Sequence, residues 1–413
     1  MASNYFDTIK GVSAFKKKRP KNSKTLSELE SLPAGSNWST AELYAARLVV
    51  REDKNKQSRL LPALAPYLDH AARDYSPLRR LVEGPGKLDP LAPETELVHI
   101  HGDTLGHLWA ALNKLANASG VSDSAVAVGV GLMVGGAKKR PYSPVPEEAA
   151  YPSANTRSKR RKRQTDAQEL APSSTTQSGT SSPSQRDGSS SESEWSQGTK
   201  TDYIGKEHAS VDNELEQATV DIASLFIRYV LRNCPPQANM TKHKPAYLVE
   251  FSGCAKQRLG TMGSGGTIRA TADAELTVSK LDKGHYNLVK MHLPALLEAK
   301  KRFPIDHGEP KTTDQVLGQM TCEALALRLE LQAPGHPGTE DVIVIACVRK
   351  FIRLLQFKIS GTYVAALSTT EPLTDYLELW ATPWFDLSTA GRRRHAVDNI
   401  VALVRQQPHI LED

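Results

Sequence analysis

Residues 141–203 divide this chain. Pro141, Pro144, Pro146 and Pro152 lead into Arg157-Ser158-Lys159-Arg160-Arg161-Lys162-Arg163, and a Ser/Thr/Gln/Gly tract with few apolar side chains follows. Such a composition buries too little surface to offset the entropy of ordering a backbone, so it predicts a disordered Pro/Ser-rich linker. Whatever folds must do so on either side of it. The 413 residues accordingly read as a disordered basic tail (1–30), a mostly helical region (31–140), the linker (141–203) and an α/β domain (204–413).

Several classes are excluded on elementary grounds. Mean hydropathy is −0.42, and no stretch approaches the roughly 18 continuous apolar residues that span a bilayer. The most apolar run, residues 125–137, is too short and too rich in glycine. The first residues lack the apolar segment of a secretory signal. Cys234, Cys254, Cys322 and Cys347 form no C-x-x-C pair, which argues against a zinc finger or a disulfide scaffold and for a reducing compartment. Membrane and secreted readings are set aside.

The net charge of +6 is unevenly spread. Residues 201–413 hold 24 Lys+Arg and 25 Asp+Glu, a net of −1, which leaves 28 basic and 21 acidic residues and a net of +7 for residues 1–200. Much of that excess lies in two clusters, Lys16-Lys17-Lys18-Arg19-Pro20-Lys21 and residues 157–163. This pattern suits an address or an electrostatic arm more than a uniformly basic domain. Lys159, Arg160, Arg161, Lys162 and Arg163 read as a nuclear-localisation signal, implying an import receptor as partner and a nuclear location, with the cytoplasm as alternative.

Between residues 32 and 137 the spacing is helical. Ser39 and Glu42 have the separation of a capping box, and Leu105, Leu108, Trp109, Leu112 and Leu115 fall on one helix face. After the linker, residues 212–232 predict an amphipathic helix, 247–251 a strand, and 274–281 a second strand beyond a glycine-rich turn. Asp282-Lys283-Gly284 is a hairpin signal returning in a long strand over about 286–299, in which Pro294 implies an edge or a bulge. Residues 313–331 predict a helix, 341–348 (DVIVIACV) a strand buried on both faces, 351–359 another strand, and 387–404 a closing helix. The order α-β-β-β-α-β-β…α calls for a mixed sheet flanked by helices.

Within this order, Asp273 enters the second strand, and Glu298-Ala299-Lys300 ends the third. With a period of two, Glu298 and Lys300 project from one face, and Asp273 can approach from the neighbouring strand. Two carboxylates beside one ammonium suit Mg²⁺, which takes one or two carboxylates and keeps several waters. Such waters supply an activated nucleophile for phosphodiester attack.

Here residues 210–405 resemble the PD-(D/E)XK nuclease superfamily, the restriction-endonuclease-like fold. The family places an acidic residue at the start of one strand, E-x-K at the end of the next, and often a Gln in the following helix. Ala272-Asp273, Glu298-x-Lys300 and Gln315 match in that order. The resemblance implies that Asp273 and Glu298, with the Ala299 carbonyl, bind Mg²⁺ (or Mn²⁺), that Lys300 positions the attacking water, and that Gln315 supports the site. Glu214 or Glu216 would be the acidic residue that some members contribute from the first helix. Ala272 stands where the family has its proline. The implied partner is nucleic acid, DNA in preference to RNA. A second reading keeps the fold as a catalytically inactive nuclear interaction platform, which the near-neutral C-terminal half favours.

Other features have plainer readings. His99, His101, Asp103 and His107 are metal-like in composition but read as residues at the start of a helix. The glycines at 129–136 lack G-x-G-x-x-G spacing and suit helix packing. Residues 262–266 read as a strand connection, and Arg392-Arg393-Arg394 as a solvated helix face.

Overall fold

The computed structural model describes residues 4–128 and 206–412, apart from residue 30 and the stretches 53–58, 86–88, 90, 241, 255, 264, 290–291, 301–302, 332–338 and 370–372. The expected linker (141–203), the basic cluster 159–163 and the glycines at 129–136 lie outside the described residues. Along the chain, α1 (Tyr5–Thr8), α2 (Val12–Lys18) and α3 (Thr40–Ala45) precede strand β1 (Leu48–Val50). Helices α4 (Ser76–Glu83), α5 (Glu94–His101) and α6 (Asp103–Val128) follow. Next come α7 (Lys206–Asn233), β2 (Tyr247–Ser252), β3 (Lys256–Thr261), β4 (Thr267–Ala272), β5 (Ala274–Asp282), β6 (His285–Leu288) and β7 (Ala295–Lys300). The pair β8 (Ile305–Asp306) and β9 (Glu309–Pro310) leads to α8 (Asp314–Glu330), β10 (Asp341–Val348) and β11 (Phe351–Lys358). Helix α9 (Gly361–Leu367), β12 (Leu377–Ala381), β13 (Phe385–Asp386) and α10 (Ala390–Glu412) complete the chain.

Among the described residues nine strands form one mixed sheet in the order β1-β12-β11-β10-β7-β5-β2, with β6 added to β5 and β13 to β11. Strands β2, β5 and β7 run as an antiparallel meander, and β10 lies parallel to β7, Glu298 opposite Ala346. A parallel neighbour cannot be reached by a tight turn, so α8 makes the crossover. The apolar run of β10 explains its place at the centre. Val342, Val344, Ala346 and Val348 enter the buried cluster on one face, and Ile343, Ile345 and Cys347 the cluster on the other. The first face is covered by α8 and the N-terminal residues, the second by α4, α6, α7 and α10.

Three expectations are corrected. Residues 4–28 are not a free tail: Tyr5, Ile9, Phe15 and Leu26 are buried against the sheet. Their spacing repeats at neither the helical nor the strand period, so the lysine run dominates the sequence pattern. Nor is the region before residue 130 a separate layer. Residues 1–129 and 204–413 belong to one compact unit, and β1 pairs in parallel with β12, Val49 opposite Glu378. Third, the long strand over 286–299 is two pieces. Strand β6 pairs with one end of β5 and β7 with the other, because Pro294, just before β7, has no N–H to give the ladder. Met262, Gly263, Gly265 and Gly266 lie between β3 and β4, with the Gly263 N–H donating to the Leu367 carbonyl at 2.9 Å.

The helix that covers the site is held by close backbone contact. A Cβ on Gly318 of α8 would meet the Trp38 carbonyl at 2.7 Å, so only glycine lets the N-terminal segment lie this near the helix.

Candidate functional site

The structure brings Asp273, Glu298 and Lys300 to one end of the sheet, where β7 and β10 finish. Asp273 lies between β4 and β5. Its N–H donates to the Leu297 carbonyl at 3.0 Å, and its Oδ2 accepts the Ala299 N–H at 2.7 Å. Both bonds tie it to β7 beside the E-x-K residues. Burial raises its proton affinity; the Ala299 N–H and Lys300 oppose that, and the charge of Glu216 adds to it. Glu216 of α7 therefore stands close enough to act on Asp273. Helix α7 is registered there by Thr219, whose Oγ1 accepts the Arg349 N–H at 3.1 Å just beyond β10. The side chain of Glu214 lies outside the described residues.

Glu298 is 1 % exposed. Its Oε1 accepts Gln319 Nε2 at 2.6 Å and faces the Lys300 ammonium, and its carboxylate shares a hydrogen bond with the Glu323 carboxyl. Burial pushes its carboxyl up to about 7, against the pull of Lys300 and with the help of Asp273. Lys300 keeps its charge: burial disfavours it, but Glu298 and Asp273 raise its affinity for the proton above the ordinary lysine value.

Gln315 is not part of this group. It is exposed, and its Nε2 donates to the Ser36 carbonyl at 3.1 Å. Helix α8 runs back alongside β7, so contact with Glu298 falls one turn further in, about 6 Å along the axis. Gln319 occupies that turn, and one turn beyond it stands Glu323, a residue the sequence pattern did not single out. Gln319 Nε2 donates to Glu298 Oε1 and to Glu323 Oε1, the latter at 3.0 Å. Glu323 is 1 % exposed, and burial, followed by the charge of Glu298 and a hydrogen bond to it, drives its proton affinity well above that of an ordinary carboxyl. The i, i+4 spacing of Gln319 and Glu323 is visible in sequence; their direction toward Glu298 is set by the crossover.

The donor set fits a hard divalent cation of the Mg²⁺ kind. Glu298 and Asp273 supply two carboxylates on neighbouring strand ends, bridged by the Ala299 backbone, and Mg²⁺ needs no more than one or two carboxylates from the protein. Among the described residues no group of three or more His, Cys, Asp or Glu side chains is arranged as a metal site.

The remaining candidates have structural partners. His107 Nδ1 meets Glu94 Oε1 at 2.7 Å, and His99 and His101 close α5. Arg393 is 4 % exposed; it donates to the carbonyls of Leu81, Val82 and Glu83 at the end of α4 and stacks over Trp109. It is not a solvated face. Arg392 pairs with Glu309 at 3.1 Å. Among the described residues no helix is long and apolar enough to cross a membrane. A scan of protein-family models finds no match to this sequence, and a search of curated proteins finds none either.

Proposed function

We propose that this chain is a divalent-metal-dependent phosphodiesterase acting on nucleic acid, built on a PD-(D/E)XK-like core. The observation that carries the reading is Glu298: an acidic side chain buried near the end of β7, beside Asp273, Lys300 and Glu323. Burying a carboxylate is costly; Gln319, Lys300 and Glu323 offset part of that cost, and a cation-binding role gives the remainder a purpose. The helix–meander–helix–strand order of α7, β2, β5, β7, α8 and β10 supports the same reading.

Asp273 and Glu298, with the Ala299 carbonyl, would hold Mg²⁺ (or Mn²⁺). When bound, the ion acidifies its water and neutralises charge developing on the phosphate. Lys300 orients that water or a phosphate oxygen, Gln319 holds Glu298 in its rotamer, and the Ala299 N–H holds Asp273. DNA is favoured over RNA as substrate, and the basic cluster at 159–163 supports a nuclear location by way of an import receptor.

A second reading rests on the Lys300–Glu298 contact, which neutralises the acid without a metal and leaves a non-catalytic platform. Calorimetric titration of the full chain with Mn²⁺ separates the two. One site lost in Glu298→Gln and retained in Lys300→Ala is expected; the absence of any site in the folded wild type removes the enzymatic reading.

A further inference from the structure

The C-terminal half, at a net charge of −1, has no basic excess with which to hold a polyanion. Residues 1–30 carry seven Lys+Arg and three Asp+Glu, a net of +4, and the structure fixes this segment to the body. Lys16, Lys17, Lys18, Lys21 and Lys24 are exposed, yet they lie between two anchors, Phe15 at 1 % and Leu26 at 0 % exposure. Phe15 packs edge-on to Tyr376 at 5.4 Å and meets Tyr44 at 5.7 Å. Both anchors join the buried cluster on the α8 face of the sheet, and Phe15, against Tyr376 just before β12, lies toward the start of β10, the far end of the strands from Glu298.

The segment also touches the site's supports. Asn4 Nδ2 donates to the Thr312 carbonyl at 2.9 Å, and the Tyr5 N–H donates to Asp314 Oδ1 at 2.6 Å at the start of α8. The Phe6 ring takes the Lys10 ammonium at 4.5 Å and the Arg353 guanidinium at 5.0 Å. Arg353 lies opposite Ala346, which lies opposite Glu298, two strand spacings or roughly 10 Å across the sheet. Glu52 pairs with Lys10 at 3.8 Å, whereas no ion pair to Lys16, Lys17 or Lys18 occurs among the described residues.

We propose that residues 10–24 form a nucleic-acid-binding face of this protein, a lysine surface that holds the phosphate backbone away from the Glu298 end of the sheet. The choice of nucleic acid as the polyanion rests on the phosphodiesterase reading; the location of the surface does not. The backbone that carries these lysines is held at both ends, so it loses little further entropy when phosphates dock. Exposed lysines contact phosphate without reading bases, so binding is insensitive to sequence and weakened by salt.

The test is fluorescence anisotropy of the full chain with labelled single-stranded and duplex DNA and single-stranded RNA, in EDTA, over a salt series. It is run in wild type and in a chain whose residues 159–163 are alanine, so that the second basic cluster does not mask the first. Replacing Lys16, Lys17, Lys18, Lys21 and Lys24 with alanine should weaken binding at least about tenfold and flatten the salt dependence by about three or more phosphate contacts. The five arginine replacements should restore both, and the retained anchors Phe15 and Leu26 should keep the thermal transition unchanged. Equal affinity and salt slope in the alanine variant overturn the proposal, as does stronger binding of poly-glutamate than of nucleic acid. Loss of binding in the alanine variant of a protein that never cleaves retains this surface and removes the phosphodiesterase reading. Metal-dependent cleavage with unaltered binding does the reverse.

Discussion

Asp273 and Ala299 are joined by a 2.7 Å hydrogen bond from the Ala299 N–H to the Asp273 carboxylate. The residue between Glu298 and Lys300 thus holds the second acid beside them. Asp273→Ala leaves that N–H without its acceptor and should cost about 1–3 kcal/mol in urea unfolding. Asp273→Asn keeps an acceptor and should leave stability nearly unchanged. Both should lose metal-dependent cleavage, which separates the structural bond from the chemical role.

Gln319 and Gln315 give opposite expectations. Gln319→Ala frees the Glu298 carboxylate to turn and should lower cleavage about 10- to 100-fold, the usual cost of losing a support behind a metal ligand. Gln315→Ala removes one exposed contact to the Ser36 carbonyl and should leave turnover unchanged. Steady-state rates of the two variants decide between them; equal effects would mean that α8 is not placed as described.

Glu323 carries a pH signature. Its proton affinity in the folded state lies above its ordinary value of 4.5, through burial and then the charge of Glu298. The folded chain therefore keeps a proton that the unfolded chain releases, and stability falls as pH rises from about 4.5 toward the folded pKa. In EDTA, Glu323→Gln should raise stability at pH 8, with the gain fading toward pH 4. Thermal unfolding at both pH values checks this. A gain independent of pH, or a loss at pH 8, contradicts it.

The two halves of the chain should not fold apart. Trp38, Leu43 and Leu48 share a buried cluster with Leu317, Met320 and Phe357. Residues 204–413 alone should give no cooperative thermal transition, and addition of residues 1–129 in trans should restore one. Trp38→Ala in the full chain should cost about 3–5 kcal/mol. A fragment that melts like the intact protein would contradict the shared core.

Local sequence patterns account for part of this architecture. The β-branched run at 341–348 states its burial on both faces, and Asp282-Lys283-Gly284 states its turn, with Lys283 and Gly284 at φ 48° and 87°. The order Asp273, Glu298, Lys300 falls at strand ends because apolar residues precede it. Illegible were the features fixed by distant partners. Strand β1 is three residues whose pairing partner lies more than 320 positions away, and no local period reports that. Phe15 and Leu26 look like isolated apolar residues in a lysine-rich segment until Tyr376 and the sheet are placed beside them. Gln319 rather than Gln315 reaches Glu298 because of where α8 starts relative to the end of β7, a distance set by the residue 301–313 connection and not by the helix pattern.

The most direct test of the central proposal is cleavage by the purified full chain. Labelled DNA and RNA are incubated with wild type, Glu298→Gln and Lys300→Ala in Mg²⁺, in Mn²⁺ and in EDTA. Expected are metal-dependent phosphodiester cleavage by wild type, none by Glu298→Gln, and slow cleavage with metal binding intact in Lys300→Ala. Equal inertness of folded wild type and Glu298→Gln on every substrate, with either metal, contradicts the enzymatic proposal and leaves the sheet end as a binding platform.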